Sequence, residues 1–204
     1  MFRLVVADRI IADSPVFEIK QMKRDMPIRN TPTDQEFRSI VESIRGQRLH
    51  AEANDSADFV DFLGISGLGN AEAAGLTWSD VDFARGKIRA YRHKTDVGFM
   101  VPIFPQLRPL LERLRGPDPR LPSERVLRIA DAKKSLTAAC QRLKLPHYSH
   151  RFFRRMFITR AIERGVDVQV IAAWQGHRDG GKLILQTCSH VRQFHADEMA
   201  KLLK

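Results

Sequence analysis

Between His150 and His190 the chain reads HRFFRRMFITRAIERGVDVQVIAAWQGHRDGGKLILQTCSH, which places guanidiniums at Arg151, Arg154 and Arg155, imidazoles at His150 and His177, and a thiol at Cys188. A guanidinium can hold two phosphate oxygens at once, and a thiol becomes a nucleophile once its pKa is lowered. The wider run from Arg142 to Arg164 carries Arg142, Lys144, His147, His150, Arg151, Arg154, Arg155, Arg160 and Arg164 against one acid, Glu163. Such a set suits the holding of a phosphodiester, where cations and donors around the oxygens matter more than covalent help. Arg151 can hydrogen-bond a phosphate but stays protonated, so it cannot act as a general base. Cys188, His190 and His195 raise the question of a metal. Zinc sites draw paired ligands from two separated elements, and His147 with His150 is the one other pair, so neither metal nor cofactor is expected.

Several elements must position these groups. Arg154 reads as the start of an amphipathic helix that Gly165 ends, and at a helix start backbone N–H groups also favour an anion. Val168 to Trp174 reads as a short helix leading into Gly176-His177, and a further helix leads to Thr187-Cys188-Ser189-His190. Upstream, Thr33 and Glu36 stand in capping-box register, followed by an apolar face of Phe37, Ile40, Val41 and Ile44. Asp55 to Ile65 reads as a second helix, and Leu76 to Asp80 closes a third short element. Ile88–Tyr91 and Phe99–Ile103 flank Lys94-Thr95-Asp96-Val97-Gly98, a hairpin with a glycine in its connection. Leu107, Leu110, Leu111 and Leu114 mark another helix. A helix from about Ala130 to Leu143 turns Leu136, Ala139 and Cys140 inward. Val5 to Ile11 could form a short helix that Asp13-Ser14-Pro15 stops.

Taken together, Gly67-Leu68-Gly69-Asn70-Ala71-Glu72 with Leu76-Thr77-Trp78-Ser79-Asp80, then Lys94-Thr95 with Val101-Pro102, then Arg154, Gly176-His177 and Thr187-x-x-His190, resemble the boxes of the tyrosine recombinases, the phage-integrase family. Members cut and rejoin DNA through a phosphotyrosine. The resemblance implies a mainly α fold with a small antiparallel β-sheet, like that family's catalytic domain. It implies that Arg154 is the second catalytic arginine, Lys94 the hairpin lysine that protonates the leaving oxygen, and His177 a donor to the scissile phosphate. Gly69 occupies the position of the first arginine. Arg151 occupies that of the box histidine, with His150 one residue off register. Cys188 stands where the nucleophilic tyrosine belongs. Its sulfur lies much closer to the backbone than a tyrosine oxygen, and in-line attack tolerates little misplacement. Of the two tyrosines, Tyr91 sits in the hairpin, whereas Tyr148 precedes the arginine helix and could approach the site, although no family pattern puts the nucleophile there. Glu72 is expected to order its loop.

The resemblance also divides the chain. Residues 1–29 read as a remnant of the N-terminal core-binding domain plus its linker, and 30–204 as the catalytic-like domain. So little of the first domain is present that the chain reads as a fragment or a truncated gene product. The closing helix, Phe194 to Leu203, is expected to dock on another recombinase subunit. The net charge of +10, from 34 basic and 24 acidic residues in 204, favours a polyanion, and double-stranded DNA is the expected partner, bound by Lys94, Arg151, Arg154, Arg155 and His177. No apolar run is long enough to span a bilayer, the start does not read as a secretory signal, and the two cysteines form no disulfide framework, so a cytoplasmic protein is expected. Two readings stand: a DNA-binding member of a recombination or integration system that cannot cleave by itself, or an active recombinase using a non-standard nucleophile or a partner's residues. A decaying gene product is the third.

Overall fold

The Thr33 hydroxyl accepts from the Glu36 N–H, while the Glu36 carboxylate accepts from the Thr33 N–H at 2.7 Å. This reciprocal cap starts helix α1 (Asp34–Arg45), whose Phe37, Ile40, Val41 and Ile44 are all buried. The computed structural model describes residues 31–185 and the single positions 9, 12, 200 and 201. The helix expected at Val5–Ile11, the segment Thr187–His190 with Cys188, and nearly all of the closing helix from Phe194 lie outside the described residues.

Helix α2 (Ala53–Ser66) is apolar on nearly every side and forms the centre of the molecule; Phe59, Val60 and Phe62 are fully buried. Burying each such side chain contributes roughly 1.5–3 kcal/mol. One polar residue on it, Asp58, accepts from Arg45 at 2.7 Å and Arg113 at 2.8 Å. That carboxylate joins α1 and α2 to α4 (Leu107–Arg115). Short helix α3 (Asn70–Gly75) follows α2 after Gly67, which takes a left-handed φ of 71° that a side chain would strain.

The sheet has three antiparallel strands in the order β1 (Val81–Asp82), β2 (Lys87–Arg92) and β3 (Val97–Pro102). β2 and β3 are the expected hairpin; the two-residue β1 carries too little pattern to be read in advance. Asp80, in the Trp78–Asp80 turn, accepts from the Thr77 N–H and hydroxyl and from Arg89 on β2. The Trp-Ser-Asp stretch thus fastens the sheet. The hairpin connection differs from expectation. Gly98 pairs with Tyr91 inside the ladder, and Asp96 makes the left-handed turn at φ 52°, a conformation that Asp tolerates better than most residues. His93–Thr95 form a single 3-10 turn that holds Lys94.

Helices α5 (Lys133–Arg142), α6 (His150–Glu163) and α7 (Val168–Trp174) complete the described fold. As expected, Leu136, Ala139 and Cys140 face inward from α5. α7 has the expected bounds, with the Asp167 carboxylate accepting from the N–H groups of Gln169 and Val170. α6 starts earlier than its charge pattern suggests. Ser149 stays extended and the helix begins at His150, so Arg154 lies one turn inside and no helix-start N–H groups surround it. α6 packs on α2, and α7 packs on β3. Most buried residues form one core, while Ile158, Ala161, Ile171, Ala172 and Ile184 make a second, smaller cluster between α6 and α7. Among the described residues no helix is long and apolar enough to cross a membrane.

Candidate functional site

An open cleft of about 510 Å³ lies between the start of α3, the end of β2 with its turn, and the first turns of α6. Gly69, Lys94, His150, Arg151, Arg154, Arg155 and His177, drawn from four separate stretches of sequence, all line it. On α6 the spacing is helical: residues 150 and 154, and 151 and 155, are one turn apart and share a face. Arg151 is exposed, whereas Arg155 lies over the Phe152 ring at 5.6 Å. The rest of the basic run turns elsewhere. Arg142 bonds to Ser43 on α1, and Arg160 pairs with Asp34 at 2.6 Å over the Phe37 ring. Arg160 and Arg164 line a separate hollow with Phe104, Phe157 and Trp174. The run reads as one basic stretch in sequence, but helical geometry splits it between two faces.

Arg154 is anchored inside the cleft. It donates to the Gln175 carbonyl at 2.8 Å and lies 3.8 Å from the Glu72 carboxylate, with its side chain 17% exposed. Arg92, at the end of β2, meets the same two acceptors. Its Nε donates to Glu72 Oε1 at 2.7 Å and its Nη2 to the Gln175 carbonyl at 2.8 Å, with a longer contact of 3.4 Å from Nη1 to the Gly176 carbonyl. Its guanidinium also lies over the Phe99 ring. Glu72, expected to order its loop, joins two guanidiniums in the cleft.

The same carboxylate lies where a Cβ on Gly69 would stand. Gly69 itself is at φ −75°, ψ 163°, extended backbone open to any residue. The obstacle to a side chain there is therefore Glu72, not backbone conformation.

His177 follows α7 and Gly176. Burial, then the Arg154 and Arg92 guanidiniums, hold its imidazole below the usual histidine value, against weaker opposition from Asp179 and Glu72. It is the neutral donor type near pH 7. His150 is also held low, chiefly by burial. Its ring meets Phe59 edge-on, and its Nε2 has no hydrogen-bond partner among the described residues. His147 bonds instead to Thr137, and no group of three or more His, Cys, Asp or Glu among the described residues is placed to hold a metal.

Tyr91 sits in the hairpin, as expected, and it is this tyrosine that meets the cleft. Tyr148 is 4% exposed, packed edge-on against Phe152 within the core, so it does not approach the cleft. Tyr91 is 42% exposed, lines the cleft and donates its hydroxyl to Asp96. Arg92 escapes a motif reading because its acceptors lie 20 and 83 residues away. One signal was available: along β2 Ile88 and Ala90 face inward, and the next inward position of the alternation is a charged residue, Arg92.

The fold and this grouping define the class: a catalytic domain of the tyrosine-recombinase type. The chain belongs to the phage integrase family, which it matches over residues 30–187. Tyrosine recombinase XerD of Neisseria meningitidis serogroup B is 27% identical over 183 residues, covering 83% of this chain; the chain thus spans 62% of that relative's length. Among solved structures, the fold is similar to XerA recombinase at a TM-score of 0.67 and 17% identity, covering 91% of this chain and 67% of that one. It is similar to the Tn1549 transposon integrase in complex with transposon right end DNA at a TM-score of 0.71 and 17% identity, covering 100% and 76%. For a lambda integrase dimer bound to a COC' core site the values are 0.66 and 14%, covering 88% and 68%. At these identities the structural likenesses bear on the fold.

Proposed function

We propose that this chain binds double-stranded DNA as part of a site-specific recombination or integration system, holding a backbone phosphate in the cleft without cutting it alone. The observation that carries the reading is the convergence of Lys94, Arg151, Arg154 and His177 on one cleft. Relatives solved on DNA, the Tn1549 and lambda integrases, support the choice of ligand. Lys94 and Arg151 supply exposed charge at the rim, Arg154 supplies a fixed guanidinium, and His177 supplies a neutral N–H donor. Cys188, at the tyrosine position, has a side chain too short to present its sulfur where a phenol oxygen would stand. An associated recombinase subunit is the expected source of a nucleophile, and the closing helix is the expected contact to it.

The test is binding to a short duplex across a salt series. Neutralised phosphates release counterions, so log affinity should fall linearly with log salt, with a slope of about 0.9 per phosphate contacted. Arg151→Ala with Arg155→Ala should flatten the slope. Absent binding at low salt, or binding indifferent to salt, would sink the reading. A second reading, an enzyme with a non-standard nucleophile, is favoured by one observation: the exposed phenol of Tyr91 lines the cleft close to Lys94. A covalent adduct with nicked duplex that survives Cys188→Ser and disappears with Tyr91→Phe would establish it.

A further inference from the structure

We propose that Arg92 is a phosphate ligand of the cleft, supplying from the opposite wall the guanidinium that Gly69 lacks; this rests on the reading of the cleft as a DNA-phosphate site. Three observations converge on it. Arg92 and Arg154 share two partners, the Glu72 carboxylate and the Gln175 carbonyl. Two guanidiniums are thereby fixed side by side in the cleft. The Arg92 side chain is 18% exposed, so it is held rigidly yet opens on the cleft. A guanidinium has five N–H donors. Three of those on Arg92 meet Glu72, Gln175 and Gly176, which leaves two among the described residues.

The second observation is the space above Gly69. Glu72 folds into the volume a side chain at 69 would need, and it does so while bonded to Arg92. A side chain at 69 would press on the Glu72 carboxylate, and through it on an anchor of Arg92.

The third is the field at His177. Both Arg154 and Arg92 act on this imidazole, so Arg92 stands within electrostatic reach of the group that faces the same ligand. The bland alternative is that Arg92 only neutralises a half-buried Glu72. The two roles separate when both partners are made neutral together.

The experiment compares the unaltered protein, Glu72→Gln, and Arg92→Gln combined with Glu72→Gln, each binding a short duplex of arbitrary sequence over a salt series. The double variant has the net charge of the unaltered protein, so a change in its slope reports a contact and not overall charge. The expected result is that adding Arg92→Gln to Glu72→Gln lowers the slope by about 0.9, the share of one phosphate contact, and leaves it below that of the unaltered protein. A double variant that keeps the full slope assigns Arg92 to neutralising Glu72 and overturns the proposal. In the unaltered protein, the guanidinium N–H resonances of Arg92 should shift when the duplex is added; resonances that stay in place overturn it whether or not the double variant folds. Absence of any binding by the unaltered protein overturns the DNA reading itself, a different result from a double variant that binds with full slope.

Discussion

At the scale of single residues, His177 has the most direct test. Its imidazole is depressed by burial and by two guanidiniums, so its NMR titration midpoint should fall below the 6.5 of an ordinary histidine. Bound phosphate would add a nearby negative charge and move the midpoint back up; a midpoint unaffected by DNA would place the phosphate elsewhere. The linkage has a definite sign. The folded value lies below the unfolded one, so the unfolded chain binds more protons between the two. The stability associated with His177, and with His150 in the same direction, is present above about pH 6.5 and is lost as pH falls through the folded values. Arg154 carries a second prediction. Because it bonds the Gln175 carbonyl and approaches Glu72, Arg154→Ala should weaken folding as well as DNA binding. Hydrogen bonds to charged groups are worth about 1.5–3 kcal/mol, which for a chain of this size lowers the melting temperature by several degrees. An unchanged melting temperature would mean that Arg154 is held for the ligand alone. In sequence Arg154 looks like a free phosphate hook; its anchors are backbone and acid groups far along the chain, invisible to any local pattern.

At the scale of elements, the sequence was most legible where periodicity and caps agree. α1, α2, α5 and α7 follow from apolar spacing, with the Thr33 capping box marking the start of α1. It was less legible where charge obscured a boundary, as at His150, where a basic first turn hides the beginning of α6. The turn between β2 and β3 misled in another way: Gly98 is the residue one expects to turn the chain, yet Asp96 adopts the left-handed conformation and leaves Gly98 in the ladder. The junction of α7 with the sheet gives the prediction at this scale. Gly176 is at φ 63°, and a Cβ there would stand 2.5 Å from the Phe99 ring. A left-handed alanine costs about 1–2 kcal/mol before any clash. Gly176→Ala should therefore lower the melting temperature and, by shifting the Phe99 ring on which Arg92 lies, weaken DNA binding more than its cost in stability explains. Equal losses in the two measurements would mean that the junction serves folding alone.

At the scale of the whole molecule, the boxes were legible because each is a short run of named residues, and the fold follows from the family they define. What no box contains is the replacement of a group by one from another element, which is the relation between Gly69 and Arg92. It leads to an unusual expectation for strand cleavage. Cys188→Tyr alone should yield a covalent adduct with nicked duplex, because the two guanidiniums are already in place. Adding Gly69→Arg should lower the adduct, since the new side chain must push the Glu72 carboxylate aside and so disturb an anchor of Arg92. An adduct that rises with Gly69→Arg would show that the position at 69 is simply vacant. A denaturing gel reads both outcomes, and circular dichroism identifies a variant that has misfolded.

The Gln175 carbonyl that clamps both arginines sits just beyond α7, a helix held by the smaller of the two apolar clusters. Local opening of that helix would cost less than global unfolding, and each opening would release the carbonyl from Arg92 and Arg154 together. Ligand capture and helix docking should therefore be coupled. A duplex held by those arginines should slow hydrogen exchange at the amides of Ile171 and Ala172, which are buried and do not line the cleft, making α7 a reporter of whether the cleft is occupied.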